Sequence, residues 1–511
     1  MNFNVIHNII YFGVFLNTRF IKIMEVYEMS NQTQGFARTR IESVLDENSF
    51  VEVGAAVKAR STDFNIQDKG TPSDGVITGY GVIEGKLVYV YSQDASVMNG
   101  TIGEMHAKKI TKLYDLALKM GAPVIGFIDC AGIRLQESSD ALNALGEIYA
   151  KQSLASGVIP QITAIYGNCG GGLSLFPAMT DFTLMETKKA KLFLNSPNAI
   201  DGNNDSKLDT AAADFQYNKA GNVDFVGSDD EIATQIRELV AILPSNNAEE
   251  AMDECNDDLN RAVADVDAFM PDAAKALALI ADNSAFVEVK KDFAKSMVVG
   301  FMRINGMTVG AVANRTAEFD EDGKTVDKFD SVITADGAYK AAEFVEFCDA
   351  FNIPVVSFVN ATGFEATIAS EKTAARAAAK LTHAFANATV PKISVVTGKA
   401  FGSAYVVMNS KALGADMVYA WSDASIGMMD SKMAAKIMYA DEIASASDSV
   451  AVINEKAKEY EELQSDLWSA ASRGYVDTII EAADTRKYIA AALEMLFTKR
   501  ETRIAKKHST I

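Results

Sequence analysis

Two stretches of the chain place glycines where the backbone itself could do chemistry. "YGNCGGGLSLFP" (166–177) sets Gly170, Gly171 and Gly172 in a row behind the apolar run "QITAI". "TGKAFGSAY" (397–405) has Gly398 and Gly402 in a similar setting, followed by Ser403, Ala404, Tyr405 and Val406. Consecutive glycines cost backbone entropy and bury no side chain, so they need a reason. Two further apolar runs end in glycine: "FIDCAGIR" (127–134), with Ala131, Gly132, Ile133 and Arg134, and "FVNATGF" (358–364), with Gly363. A strand that turns sharply into a helix exposes amide N–H groups with no acceptor inside the helix. Those donors favour negative charge, and glycine lets a ligand come close. Two such N–H groups form an oxyanion hole, each donor contributing roughly 3–4 kcal/mol to a transition state.

Other uses of the same residues compete. Phosphate cradling draws on the same physics, but neither a G-x-x-x-x-G-K-[ST] run nor a G-x-G-x-x-G opening a helix is present. Close packing of helix on strand would also call for glycine. Cys169 could be a thiol nucleophile only with a histidine beside it, and spacing places neither His106 nor His383 there. His106 reads as structural. Lys108 and Lys109 read as solvated helix lysines, with contacts to a ligand's phosphates as the alternative. Arg134 is the better candidate for a bound phosphate.

The elements that position these turns repeat along the chain. "LDENSFVEV" (45–53) is echoed by "ADNSAFVEV" (281–289), and "GYGVIEGKLVYVYSQD" (79–94) by "GFMRINGMTVGAVANR" (300–315). Pro123 and Pro354, Gly132 and Gly363, and Gly167 and Gly398 are each 231 residues apart. One register held this long indicates a duplicated domain. In each half a strand, a helix and further strands follow in order. "APVIGFID" and "PQITAIYG" are unbroken apolar runs, as strands buried on both faces require. "GEMHAKKITKLYDLALKMG" has helical periodicity and closes on Gly121, a C-cap. The class is α/β. The expected domains are 29–260 and 261–511, with the seam in the acidic stretch "PSNNAEEAMDECNDDLNRAVADVD" (244–267).

Bulk properties exclude several classes. At 511 residues, one core is too few. The net charge of −20 argues against binding nucleic acid or an anionic membrane surface. The four cysteines form no C-x-x-C, so neither a zinc ribbon nor a redox dithiol is expected, and a reducing cytoplasm is the expected compartment. The first 28 residues are apolar but interrupted by Asn, His and Arg, with no basic start and no cleavage site. They read as an extension outside the fold, the working protein beginning near Met29. The alternative is a membrane-touching helix. The basic end "TKRETRIAKKHSTI" reads as a docking tail or a charged terminus.

The chain resembles the carboxyltransferase subunits of biotin-dependent acyl-CoA carboxylases and sodium-pumping decarboxylases. The resemblance runs from about Arg38 to Lys507. It rests on "ARTRIESVLDENSF", "DGVITGYGVIEGKLVYVYSQD", "GTIGEMHAKKI", "FCDAFNIPVVSFV", "ATVPKISVVTGKAFGSAY", "GADMVYAWSDASIG" and "ASRGYVDTIIEAADTRKYIAAALEML". It implies two tandem crotonase-like (ClpP/crotonase) βα-superhelix domains, the first on the acyl-CoA side and the second on the biotin side. It implies that carboxybiotin on a separate carrier loses CO₂, that the ureido enolate deprotonates the acyl α-carbon, and that the acyl-CoA enolate captures CO₂. Carried over by position, the amides of Gly171 and Gly172 serve the thioester oxygen. Those of Ser403 and Ala404 serve the biotin carbonyl. Ala131, Gly132, Ile133, Arg134, Gly170, Gly363, Gly402, Tyr405 and Val406 fall in the substrate-binding turns.

The same resemblance implies a homo-oligomer, commonly a hexamer, in which a first-domain site faces the second-domain site of a neighbouring subunit. Propionyl-CoA and methylmalonyl-CoA are the expected acyl groups, and no metal is expected in this chain. The chain has no A-M-K-M biotinylation motif, no ATP-grasp-like stretch and no run of transmembrane helices. A biotin carboxyl carrier protein, and a biotin carboxylase or a membrane decarboxylase β subunit, are therefore expected as other chains. A pump partner would bring the cytoplasmic protein to a membrane. Departures from the family pattern stand at Gly170, Leu173, Ser403 and Val406, where many members have Ala, Ala, Gly and Asp. They put the choice of acyl chain in doubt. A sodium-pumping glutaconyl-CoA or methylmalonyl-CoA decarboxylase α subunit is the alternative within this chemistry. A biotin-independent crotonase-type enzyme and a non-catalytic scaffold are the alternatives outside it.

Overall fold

The computed structural model describes residues 35–62, 64–66, 70–507 and 510–511. The extension expected over residues 1–28 lies outside them. The chain divides into two compact units, the first ending at Asn246 and the second beginning at Asn247. This division falls inside the acidic stretch but ahead of the expected 260/261 seam. The cause is local bonding of the residues that follow it. Met252 bridges Met307. The Arg261 guanidinium donates to the carbonyls of Leu279 and Ala281, each at 3.0 Å. The Val263 N–H donates to the Ala483 carbonyl at 2.8 Å. These residues therefore belong with the second unit.

Among the described residues the first unit begins with helix α1 (Phe36–Val44), then strands β1 (Val51–Glu52), β2 (Val76–Ile83) and β3 (Lys86–Gln93). Helix α2 (Glu104–Met120), strand β4 (Val124–Cys130), helix α3 (Ser138–Ala155) and strand β5 (Gln161–Gly170) follow. Strands β6 (Phe182–Glu186), β7 (Lys191–Phe193) and β8 (Phe225–Gly227) and helix α4 (Asp229–Ile242) complete it. The sheet order is β1-β2-β3-β4-β5-β6-β8, with β7 beside the end of β5. The first two pairings are antiparallel and those from β3 onward parallel.

The reasons lie in the sequence. Helix α2 buries Ala107, Ile110, Leu113, Tyr114 and Ala117, three and four residues apart. Gly121, at φ +62°, ends it by donating to the Ala117 carbonyl. Strand β4 is buried along nearly its whole length, as a central parallel strand between helical layers must be.

The second unit repeats this plan. Strands β9 (Phe286–Val289), β10 (Met297–Ile304) and β11 (Met307–Asn314) precede a two-stranded ribbon, β12 (Ala317–Phe319) and β13 (Thr325–Lys328). Helix α5 (Ala335–Ala350), strand β14 (Val355–Ala361), helix α6 (Ala374–Asn387) and strand β15 (Lys392–Phe401) come next. Helix α7 (Gly402–Val407), strands β16 (Met417–Trp421) and β17 (Ser425–Gly427), further helices and strand β18 (Thr478–Ile480) follow. Those helices include α8 (Ser431–Met438), α9 (Ser449–Tyr460) and α10 (Leu467–Ser472). The sheet order, β9-β10-β11-β14-β15-β16-β18 with β17 beside β15, is that of the first unit strand for strand.

Each unit has its own core. One gathers Ile128, Leu145, Ile148, Ile165 and Phe176. The other gathers Val356, Phe358, Ile393, Val395 and Trp421. The ribbon also accounts for a step in the repeat. Gly79 and Gly300 are 221 residues apart, whereas Gly132 and Gly363 are 231 apart. The ribbon lies between β11 and α5, where the first unit passes from β3 to α2 without one.

Candidate active site

In the first unit β4 and β5 are parallel neighbours, with Cys130 opposite Cys169. Both glycine stretches therefore leave the sheet side by side, at the carboxyl ends of their strands. Ligands of parallel α/β sheets bind there. The first stretch is tied down by the backbone. Ala131 donates to Asn99, Ile102 to Gly132 and Arg134 to Ile102, at 3.0, 2.9 and 2.8 Å. The second unit makes the matching set. Thr362 donates to Ser331, Ile333 to Gly363 and Glu365 to Ile333, at 2.7, 2.9 and 3.0 Å. There Ala361 lies opposite Ala400 at the ends of β14 and β15.

The glycines fall into two groups. A Cβ on Gly167 would lie 2.0 Å from Asp129 Oδ1, and one on Gly398 2.8 Å from Asn360 Oδ1. A Cβ on Gly170 would strike the Phe193 ring at 2.4 Å. These three serve close packing. Gly171 differs: it has φ +61°, and a Cβ there would meet nothing within 4 Å. Gly132 and Gly363 face equally open space. Gly171 and Gly172 begin a 3₁₀ turn (Gly171–Ser174). Gly402, at φ +59°, begins α7, with Ser403 and Ala404 next. The first N–H groups of such turns have no acceptor within them. Ser403 is exposed, Tyr405 half-buried and Val406 40% exposed, while Ala404 is buried. Ala131 is exposed, and Gly132 and Ile133 are half-buried beside the first turn.

Arg134 requires a correction. Its guanidinium is fully buried and pairs with Asp74 at 2.6 Å and Glu137 at 2.8 Å. It also donates to the Thr101 carbonyl at 2.8 Å. Buried among these partners, it is a brace and cannot reach a CoA phosphate. The brace extends into α2: Glu137 accepts from the Glu104 N–H at 2.6 Å, and Asp74 from the His106 N–H at 2.8 Å. Burial raises the Asp74 carboxyl above its ordinary value against the pull of Arg134. His106 is structural. Its Nδ1 lies 3.0 Å from the Asp74 carbonyl and its Nε2 3.3 Å from Gln93 Nε2. Burial, with Arg134 nearby, pushes its pKa down to about 3. Lys108 pairs with Glu104 on the helix surface at 2.6 Å. Lys109 is not solvated: it is buried and donates to the Ser73 carbonyl at 3.0 Å.

Cys130 and Cys169 are buried thiols. Burial pushes Cys130 up to about 12 and Cys169 well above its ordinary value. A nucleophilic cysteine needs a thiolate, so neither is one. Among the described residues no group of three or more His, Cys, Asp or Glu could hold a metal ion. No described helix is long and apolar enough to cross a membrane. In the basic end, Lys499 pairs with Asp416 at 2.8 Å, and Arg503 donates to the Asn387 carbonyl at 3.3 Å.

Sequence reasoning missed the neighbours that shape the first turn. Asp129 pairs with Arg40 at 3.1 Å, and the Arg40 guanidinium stacks 4.6 Å above the Tyr166 ring. Asn360 holds the position of Asp129 in the second unit, where its Oδ1 accepts from the Lys399 N–H at 3.2 Å. The 231-residue register pairs these two residues and could have drawn attention to them. No spacing signal points to Arg40, which comes from α1.

With this geometry the comparisons with known proteins agree. The carboxyl transferase domain family matches residues 29–511, and the chain belongs to that family. It is 40% identical to the methylmalonyl-CoA carboxyltransferase 12S subunit of Propionibacterium freudenreichii subsp. shermanii, over 94% of this chain and 92% of that one. It is 39% identical to methylmalonyl-CoA decarboxylase subunit alpha of Propionigenium modestum, over 93% and 92%. The propionyl-CoA carboxylase beta chain of Saccharopolyspora erythraea is 40% identical over 93% and 90%. The crystal structure of the transcarboxylase 12S hexamer with hydrolysed methylmalonyl-coenzyme A bound matches at a TM-score of 0.86 and 37% identity, covering 97% of this chain and 98% of that one. The two mainly parallel sheets are thus those of a crotonase-like carboxyltransferase.

Proposed function

We propose that the chain is the carboxyltransferase subunit of a biotin-dependent enzyme. It moves a carboxyl group between carboxybiotin on a separate carrier and an acyl-CoA, with propionyl-CoA and methylmalonyl-CoA as the pair. The carrying observation is the duplicated pair of glycine turns at matching strand ends, with open space above Gly171. The amides of Gly171 and Gly172 hold the thioester oxygen, on which charge gathers as the α-carbon loses its proton. Those of Ser403 and Ala404 hold the ring carbonyl oxygen of biotin. Negative charge gathers on that oxygen as carboxybiotin loses CO₂, so backbone donors stabilise it, and the exposed Ser403 and apolar Val406 bring no opposing carboxylate. Biotin, when bound, supplies the carboxyl group. The substrate pair follows from the names of relatives that share about 40% of their residues with this chain. A decarboxylase α subunit is equally near, so the transfer half-reaction is the function, and its direction is set by the partner. The carrier, a biotin carboxylase or membrane β subunit, and a homo-hexamer belong to this reading.

The test follows CO₂ release from methylmalonyl-CoA and malonyl-CoA by the purified chain, with and without free biotin. Release that requires biotin and is faster from methylmalonyl-CoA is expected. Gly171→Ala places a side chain at φ +61° in the open space and is expected to lower the rate by about 100-fold. Release indifferent to biotin would move the chain to a crotonase-type enzyme. No release together with no acyl-CoA binding would leave a scaffold.

A further inference from the structure

We propose that Tyr149 and Ser174 are positioning residues that clamp the first glycine turn with its amides facing outward. The inference rests on the reading of that turn as the thioester-oxygen hole. The Tyr149 hydroxyl donates to the Gly172 carbonyl at 2.5 Å. The Ser174 hydroxyl donates to the Gly171 carbonyl at 2.7 Å. In a trans peptide the C=O and N–H point opposite ways, so fixing a carbonyl aims the amide across the same bond. Holding the Gly171 carbonyl aims the Gly172 N–H. Holding the Gly172 carbonyl fixes the next peptide of the turn. The turn itself gives the Gly172 carbonyl one further donor, the Leu175 N–H, and with no Cβ on either glycine the two hydroxyls add the restraint that side chains supply elsewhere.

Tyr149 is itself held. Its ring meets Phe176 edge-on, with centroids 5.8 Å apart at 84°. Leu145, one turn earlier on α3, lies beside it: the Cβ position of Gly172 is 3.1 Å from the Tyr149 oxygen and 3.3 Å from Leu145 Cδ2. Burial raises the phenol above its ordinary value and keeps it a donor. The second unit has no counterpart at the same register. Lys380 occupies the place of Tyr149 and pairs with Glu343 and Glu346 at 3.8 and 3.6 Å. Tyr405 occupies the place of Ser174. The clamp belongs to the first turn alone.

The test uses Tyr149→Phe, Ser174→Ala, their combination, and Ser174→Thr in the full chain. Biotin-dependent CO₂ release from methylmalonyl-CoA is measured beside hydrogen–deuterium exchange of peptides 166–177 and 397–408. Each loss variant is expected to lower kcat about tenfold with KM changed less than about twofold, and Ser174→Thr to keep wild-type kcat. Exchange is expected to quicken about tenfold in 166–177 of the double variant and to stay unchanged in 397–408. A raised KM at constant kcat, or unchanged exchange in 166–177, overturns the clamp. If the wild-type chain releases no CO₂, the reading of the hole falls, and the exchange comparison alone decides whether the two hydroxyls hold the turn.

Discussion

At the scale of single residues, the first unit stakes stability on a neutral histidine. His106 Nδ1 faces the Asp74 carbonyl and its Nε2 faces the Gln93 side-chain nitrogen, so the ring fits as a donor at one nitrogen and an acceptor at the other. A second proton on Nε2 would face a donor. With a folded pKa of about 3 against an ordinary 6.5, the unfolded chain binds the extra proton between those values. Stability from this group is therefore complete above pH 6.5 and lost as pH falls. Between about pH 6.5 and 5 the loss is about 2 kcal/mol. Urea unfolding across that range is expected to show a falling midpoint, and His106→Asn to flatten the slope. An equal slope in the variant would place the acid sensitivity elsewhere. Arg134 makes the complementary point. An arginine next to a glycine turn looks like a phosphate ligand in the sequence, because nothing local betrays Asp74, far back along the chain. Glu137 stands only three residues away, but the fold brings up Asp74 and buries both carboxylates around the guanidinium.

At the scale of elements, the strands and the cap of α2 were legible because each rests on a local signal: unbroken apolar runs, three-and-four spacing, a terminal glycine. The ribbon β12–β13 was not. Its residues are mostly polar and charged, β13 is exposed at all four positions, and no period marks it. It became visible only as a step in the repeat. Because β13 buries so little, removing residues 320–327 and closing the gap with a short turn is expected to shift the melting temperature of the second unit by less than about 3 °C. Calorimetry of the trimmed chain checks this. A larger loss would mean that the contacts of β12, such as the Glu318–Lys295 pair at 3.0 Å, depend on β13. The division lies inside the expected stretch 244–267 but ahead of the 260/261 boundary for a related reason. An acidic, polar stretch reads as a linker, yet its backbone bonds and Arg261 attach it to one side.

At the scale of the whole molecule, a group of apolar side chains remains uncovered on the second unit. Met428, Met433, Ile437, Met438 and Trp468 are each more than half exposed, on and beside α8 and α10. So many exposed apolar side chains on a chain carrying −20 charge call for a partner surface. In the proposed homo-hexamer these side chains are expected to be covered, and light scattering is expected to give six copies per particle. Met433→Asp together with Ile437→Asp is expected to dissociate it and abolish transfer. A monomeric wild-type chain retaining full activity would sink the assembly. The pairing of the two glycine turns within each unit was readable from the repeat, because their spacing is a property of the chain. The identity of the covering surface was not, because no residue of one copy encodes its neighbour by spacing.

The register kept by the two units also preserves a record of ancestry. Asp129 and Asn360, Tyr149 and Lys380, Arg134 and Glu365 occupy corresponding places on one scaffold. A gene copied and joined to itself begins with two identical halves. These pairs mark where the halves have since parted company, charged or hydroxylated at the first turn and differently furnished at the second. The bare backbone at the strand ends is what both inherited, and the side chains around it are where each half acquired its own history.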